Sequence, residues 1–225
     1  MPMNIAIDGP VGAGKSSIAD QVAQRLHILH LDTGAMYRTV ALYMLRNGVD
    51  VQDEQAVSAR CGEADVRVAY QNGAQKTMLG EEDVSELIRT GEVSAAASAI
   101  SKWPAVRRRM VAAQQEIAAT ADMLIDGRDI GTRVLADAPV KIFLTATPEE
   151  RARRRYKQQV EKGDMTPYEQ VLAELNARDA QDMSRETDPL RQAEDAVLVD
   201  STDMTPEQVV EAILAVVEGV YGKRA

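Results

Sequence analysis

An α/β fold on a central parallel sheet of about five strands is what this sequence of 225 residues predicts. Three observations carry that expectation. Short apolar runs alternate with segments of helical period along most of the chain, the signature of βα units. The first run, Asn4–Ile7, passes into a loop of small residues and then a helix-like segment. One stretch departs from the pattern: between Asp65 and Glu92 the residues alternate around an Asn72-Gly73 pair, the strongest short hairpin signal. It reads as an antiparallel subdomain inserted into the βα chain.

The candidate strands are Asn4–Ile7, Ile28–Leu31, Met123–Ile125, Val140–Thr145 and Ala196–Val199. Each is short and bounded by charge, glycine or proline, as suits a strand covered on both faces. Three helices share one start signal: Thr147-Pro-Glu-Glu150, Thr166-Pro-Tyr-Glu169 and Thr205-Pro-Glu-Gln208. In each, threonine is placed to cap the first amides, proline supplies a helical φ, and Glu or Gln closes the box.

Composition narrows the function classes. Charged residues are 27% and hydrophobic ones 45%, an ordinary globular balance. The net charge of −9 argues against a general nucleic-acid or membrane-surface binder. Cys61 is the only cysteine, so no internal disulfide forms and a reducing cytoplasmic setting fits. No basic-then-apolar export signal opens the chain, and the longest uncharged run, Val93–Ser101, is too short to cross a bilayer. Arginine outnumbers lysine 19 to 7, which makes the placement of the arginines the question.

Gly9-Pro10-Val11-Gly12-Ala13-Gly14-Lys15-Ser16 fits G-x-x-x-x-G-K-[ST], with a strand before it and a helix after it. The glycines let successive N–H groups point inward, and the helix start adds its positive end, making an anion cradle. Lys15 is placed for the outer phosphates of a nucleoside triphosphate, and Ser16 or Ser17 for Mg²⁺, directly or through water. The chain has no N-K-x-D guanine-reading motif and no room for the accessory domains of most motor ATPases, so a small kinase is favoured.

Such a kinase needs several guanidinium groups, because their planar forks gather like-charged phosphates and screen the transition state. Four places offer them. Asp32-Thr-Gly-Ala-Met-Tyr-Arg38 puts Thr33, Tyr37 and Arg38 after the second strand, at the sheet's carboxyl end. Leu124-Ile-Asp-Gly-Arg-Asp129 ends an apolar strand on Asp126, like a metal-side acidic strand, and then supplies Arg128 and Asp129. Arg151, Arg154 and Arg155 fall at i, i+3 and i+4 on one helix face, where three unpartnered cations would repel and an anionic ligand would relieve them. Arg178, Asp182 and Arg185 fall at i, i+4 and i+7; an intrahelical ion-pair ladder explains that spacing equally well.

Taken together and in order, "IDGPVGAGKSS", "LDTGAMYR", "GEEDVSELIRTGEVSAAAS", "DGRDIGT", "DAPVKIFLTATPEERARRR" and "LAELNARDAQDMSR" resemble the bacterial cytidylate kinases, of the nucleoside monophosphate kinase group, over nearly the whole chain. The resemblance implies a P-loop NTPase-type three-layer fold with a small antiparallel NMP-binding insert at about 65–92 and a helical lid at about 149–180. The core would take about 1–64, 93–148 and 181–225. It implies transfer of a phosphoryl group from ATP·Mg²⁺ to CMP or dCMP by a monomer. Gly9 to Ser17 with Arg151, Arg154 and Arg155 would hold ATP. Thr33, Tyr37, Arg38, Ser98, Arg107, Arg128, Asp129, Arg178, Asp182 and Arg185 would hold CMP. Among these, Ser98, Arg107 and Asp129 would read cytosine, Arg178 and Asp182 would lie near the pentose, and Arg38, Arg128 and Arg185 would grip the acceptor's phosphate. Lys15, Arg128, Arg154 and Arg185 would carry the catalysis. Another acceptor, such as UMP or dTMP, and an ATP-binding regulator without turnover stand as alternatives.

Overall fold

The computed structural model of the protein describes residues 2–222. In chain order the elements are β1 (Asn4–Asp8), α1 (Lys15–Leu26), β2 (Leu29–Asp32), α2 (Thr33–Arg46), α3 (Glu54–Arg60), β3 (Val66–Gln71), β4 (Ala74–Leu79), β5 (Glu82–Asp83), α4 (Gly91–Ile100) and α5 (Pro104–Ala118). There follow β6 (Met123–Gly127), β7 (Val140–Thr145), α6 (Pro148–Glu161), α7 (Tyr168–Ser184), β8 (Val197–Asp200) and α8 (Pro206–Tyr221). The main sheet runs β2-β6-β1-β7-β8, and β7 pairs in parallel with both β1 and β8. All five expected strands are present. Four run further than expected at their carboxyl ends, β1 to Asp8, β2 to Asp32, β6 to Gly127 and β8 to Asp200, and the first three so finish on residues of the quoted motifs.

Ile5, Ile7, Leu124, Ile125 and Leu144 are wholly buried. At roughly 1.5–3 kcal/mol for each large apolar side chain taken from water, these central strands stabilise the platform on which the loops sit. The second sheet is β3-β4-β5, antiparallel, with Gln71 opposite Ala74 across the turn. Asn72 and Gly73 both have positive φ, 52° and 79°, the two left-handed residues that a type I′ hairpin demands. Two compact units result, one of residues 2–3 and 29–123, the other of residues 4–28 and 124–222.

The three threonine start signals do not behave alike. Thr205 makes the complete box, its hydroxyl accepting from Gln208 N and its own N–H donating to Gln208 Oε1. Thr147 caps Glu150 N, but the Glu150 carboxylate pairs with Arg153 and Arg154 and leaves the box open. Thr166 is no cap at all: α7 begins at Tyr168 behind Pro167, and the Thr166 hydroxyl donates to Asp164 Oδ1 at 2.7 Å. The carboxylate two residues upstream, which also takes the Thr166 N–H, wins that hydroxyl from the helix. Arg185 also departs from expectation, since it is the C-cap of α7 with ψ 142° and stands outside the helix.

Candidate active site

In the larger unit, the loops after β1, β6, β7 and β8 all leave the carboxyl ends of their strands, where open α/β sheets bind ligands. Gly9 turns the chain out of β1 at φ 153°, and a Cβ built on it would lie 2.0 Å from Leu144 O of β7. No other residue fits there. Gly14, at φ 84°, is the left-handed N-cap of α1, whose first-turn N–H groups have no carbonyl partner inside the helix.

Lys15 opens α1 and is nearly buried, with Nζ donating to Pro10 O at 2.7 Å. Burial, with the nearby Arg128 guanidinium, lowers its pKa to about 7 against the opposing pull of Asp126, Asp182 and Asp8. Ser16 Oγ donates to Asp126 Oδ2 at 3.0 Å. One hydroxyl and one carboxylate at the end of a phosphate loop are a donor set suited to Mg²⁺, which keeps its waters and takes its other ligands from phosphates. Ser17 lies apart from that pair, along the wall of a separate hollow.

A second cluster stands at the end of β6. Arg128 Nε lies 2.9 Å from Asp182 Oδ2, and Arg185 Nη1 lies 3.5 Å from Asp182 Oδ1. Arg185 Nη2 is 3.8 Å from Asp129 Oδ1. Burial pushes the Asp182 carboxyl up, but Arg128 and Arg185 outweigh it and hold the group below the usual carboxylate range. Arg178 adds to that pull from α7. After Asp129 the chain makes a wide π-type turn, Ile130–Val134, of a kind common at functional sites.

Asp8, which sequence reading did not single out, anchors that turn. Its two carboxylate oxygens accept from Ile130 N and Gly131 N, each at 2.7 Å. Burial raises its pKa to about 6 against the pull of those two amides.

The smaller unit holds the remaining candidates. Asp32 caps α2 through Ala35 N and pairs with Arg38 at 2.8 Å. Thr33 is buried at the first position of α2. The Arg107 guanidinium lies 5.8 Å from the centre of the Tyr37 ring, and its Nη1 donates to Ser101 O. Ser101 Oγ in turn donates to Ser98 O, so one unpredicted serine links Ser98 to Arg107.

The α6 arginines are not a bare cationic stripe. Arg151 is buried: Nε donates to Ala146 O, while Nη1 reaches both Val11 O and Asp179 Oδ2. Arg154 pairs with Glu150 and donates to Ser201 O and Oγ. Arg155 is exposed, within electrostatic reach of Asp164. Beside Arg154 opens a hollow of about 430 Å³, walled by Gly14, Ser17, Gln21, Arg153, Met204 and Pro206 among others. Its far wall, Ser201 to Pro206, escaped sequence reading because only β8 places that turn beside the phosphate loop.

A family model described as cytidylate kinase matches residues 5–219. A cytidylate kinase of Caldicellulosiruptor bescii is 48% identical over 212 residues, 94% of each chain. A cytidylate kinase of Mycobacterium avium is 50% identical over 208 residues, 92% of this chain and 91% of its own. Among solved structures, an uncharacterized protein from Eubacterium ventriosum superposes with TM-score 0.54 at 11% identity, covering 96% of this chain and 98% of that one. A gluconokinase from Sinorhizobium meliloti gives TM-score 0.50 at 14% identity over 97% and 94%. At such identities these two speak for the fold alone.

Proposed function

This chain belongs to the cytidylate kinase family, and on that premise we propose how its side chains share the transfer of a phosphoryl group from ATP to CMP or dCMP. The products are ADP and CDP or dCDP. The donor's phosphates lie in the cradle from Gly9 to Ser17, with Lys15 on the outer ones and Arg154 and Arg155 closing over them from α6. The donor's nucleoside occupies the hollow beside Arg154, whose walls combine apolar Met204 and Pro206 with the polar ends of Ser17 and Gln21.

Arg128 and Arg185 take the acceptor's phosphate, aided by Arg38. Asp182, with Arg178, accepts from the pentose hydroxyls. Asp129, Arg107 and Ser98 read the base, and Tyr37 and Thr33 seat it. An aspartate accepts from the exocyclic amino group that cytosine has and uracil lacks. Ser16, with Asp126 behind it, would hold Mg²⁺, which when bound neutralises charge between the donor's outer phosphates. The segment of about 149–180 serves as the lid; its closure excludes water, which competes with CMP for the phosphoryl group. We read the enzyme as a cytoplasmic monomer, a reading that its buried lone thiol suits.

No general base is required. The acceptor's phosphate oxygen is already anionic, so positioning and charge neutralisation do the catalysis. The observation that carries this reading is that the phosphate loop is tied to the strand that leads into the arginine cluster: Ser16 Oγ donates to Asp126 of β6, and two residues on, Arg128 pairs with Asp182. The two proposed phosphate sites so lie side by side at the end of β6, where their cations would be relieved by two polyanions. Initial rates with ATP across CMP, dCMP, UMP, AMP and dTMP test it. CMP and dCMP should lead, and Asp129→Ala should cut the preference for C over U by about tenfold, as expected for one lost polar contact to the base. A preference for AMP or dTMP overturns the reading.

A further inference from the structure

Both hydrogen-bonding groups of Val11, midway along the phosphate loop, are held by one ion pair. Val11 N donates to Asp179 Oδ1 at 3.1 Å, and Val11 O accepts from Arg151 Nη1 at 2.9 Å. The same Nη1 bridges to Asp179 Oδ2, closing a ring of contacts around a single residue of the loop. Arg151 comes from α6 and Asp179 from α7, and their side chains are 5% and 9% exposed. The contact is close along its length: a Cβ on Gly12 would stand 3.3 Å from Arg151 Cβ and 3.2 Å from Leu175.

We propose that Arg151 and Asp179 are a positioning pair that presets the phosphate loop, and that Arg151 is not itself a ligand of the donor's phosphates. A glycine loop cradles phosphate only if its N–H groups already converge, and flexible glycines do not converge unaided. Fixing the Val11 peptides on both sides orients the N–H groups that follow. Burying an ion pair is expensive in desolvation and rarely adds stability by itself. Here the pair also satisfies two main-chain groups of the loop, and Arg151 Nε is committed to Ala146 O at 2.9 Å. The inference rests on the reading of this loop as the donor site.

The two roles predict different couplings. If Arg151 bound phosphate directly, Asp179→Ala would free the guanidinium and leave ATP affinity unchanged or improved. A positioning pair predicts that Arg151→Met, which keeps the packing on Gly12, and Asp179→Ala each raise the calorimetric Kd for ATP at least about tenfold, the scale of displaced backbone donors. The double variant should be no worse than the worse single one, because the two act as a unit. The Kd for CMP should stay within about twofold, a split that general loosening of the fold would not produce. Asp179→Asn, which keeps an oxygen for Val11 N–H, should recover part of the loss. In the unaltered protein without nucleotide, the Val11 amide should exchange slowly with solvent; exchange at the rate of an open loop overturns the proposal, as do additive effects or an unaffected Asp179→Ala. Lys15→Ala separates the two levels. If it spares ATP binding, the donor-site reading itself has failed, whereas its loss beside an intact Asp179→Ala refutes only the pair.

Discussion

Lys15 shows how a motif residue acquires properties its motif does not state. The pattern names it and the turn around it, but its buried setting, with Arg128 nearby, leaves its pKa at about 7. Anionic phosphates arriving beside it can only raise that value. Above about pH 7 the free protein has lost most of the Lys15 proton, so binding must restore it and ATP affinity must weaken as pH rises. Calorimetry near pH 8, in buffers of different ionisation enthalpy, should therefore show uptake approaching about one proton, absent near pH 6 where Lys15 is already charged. Lys15→Met should abolish the difference between the two pH values that remains after the nucleotide's own titration; the same uptake in that variant would assign it elsewhere. Lys15, Arg128, Asp129 and Asp182 were legible from the order of motifs. Asp8 and Asp179 were not, because each grips main-chain N–H groups, at Ile130 and Val11, more than 100 residues away, and side-chain type reveals nothing about a backbone partner.

At the level of the element, identical local signals diverge according to what competes for the hydroxyl. Thr205 and Thr166 both stand in an Asp-Met-Thr-Pro sequence, but the Thr166 hydroxyl is taken by Asp164, whereas Thr205 closes the box on Gln208. Thr205→Ala should therefore cost about 1 kcal/mol of unfolding free energy, and Thr166→Ala only a few tenths, measured by denaturant titration. Equal losses would mean that the local sequence outweighs the observed cap geometry. The strands were legible because their apolar runs are short and bounded; the hairpin was legible because Asn72-Gly73 accepts two positive φ angles at once. The shape of the turn after β6 was not, since Ile130–Val134 takes its π-type form with two amides on a carboxylate of β1.

On the scale of the whole molecule, Asp8 ties the end of β1 to the loop that carries Arg128 and Asp129, and it does so at a thermodynamic cost that depends on pH. Its folded pKa of about 6 lies above the ordinary 3.8, chiefly through burial, so the folded state binds this proton more tightly than the unfolded chain does. The sign follows: the protonated carboxyl favours folding, and that contribution is complete below about pH 4 and lost as pH rises through about 6. A shift of this size corresponds to up to about 3 kcal/mol at 1.36 kcal/mol per unit. Asp8→Asn removes the titration while keeping the side chain's shape, but it can accept from only one of the two amides, so a constant deficit is expected beside the pH-dependent part. Unfolding free energies of both proteins from pH 4 to 7 separate these. The advantage of the unaltered protein over Asp8→Asn should shrink by up to about 3 kcal/mol across that range, most steeply between pH 4 and 6. An advantage independent of pH would show that Asp8 is ionised throughout, and that its two amide bonds, not its burial, govern how β1 holds the loop after β6.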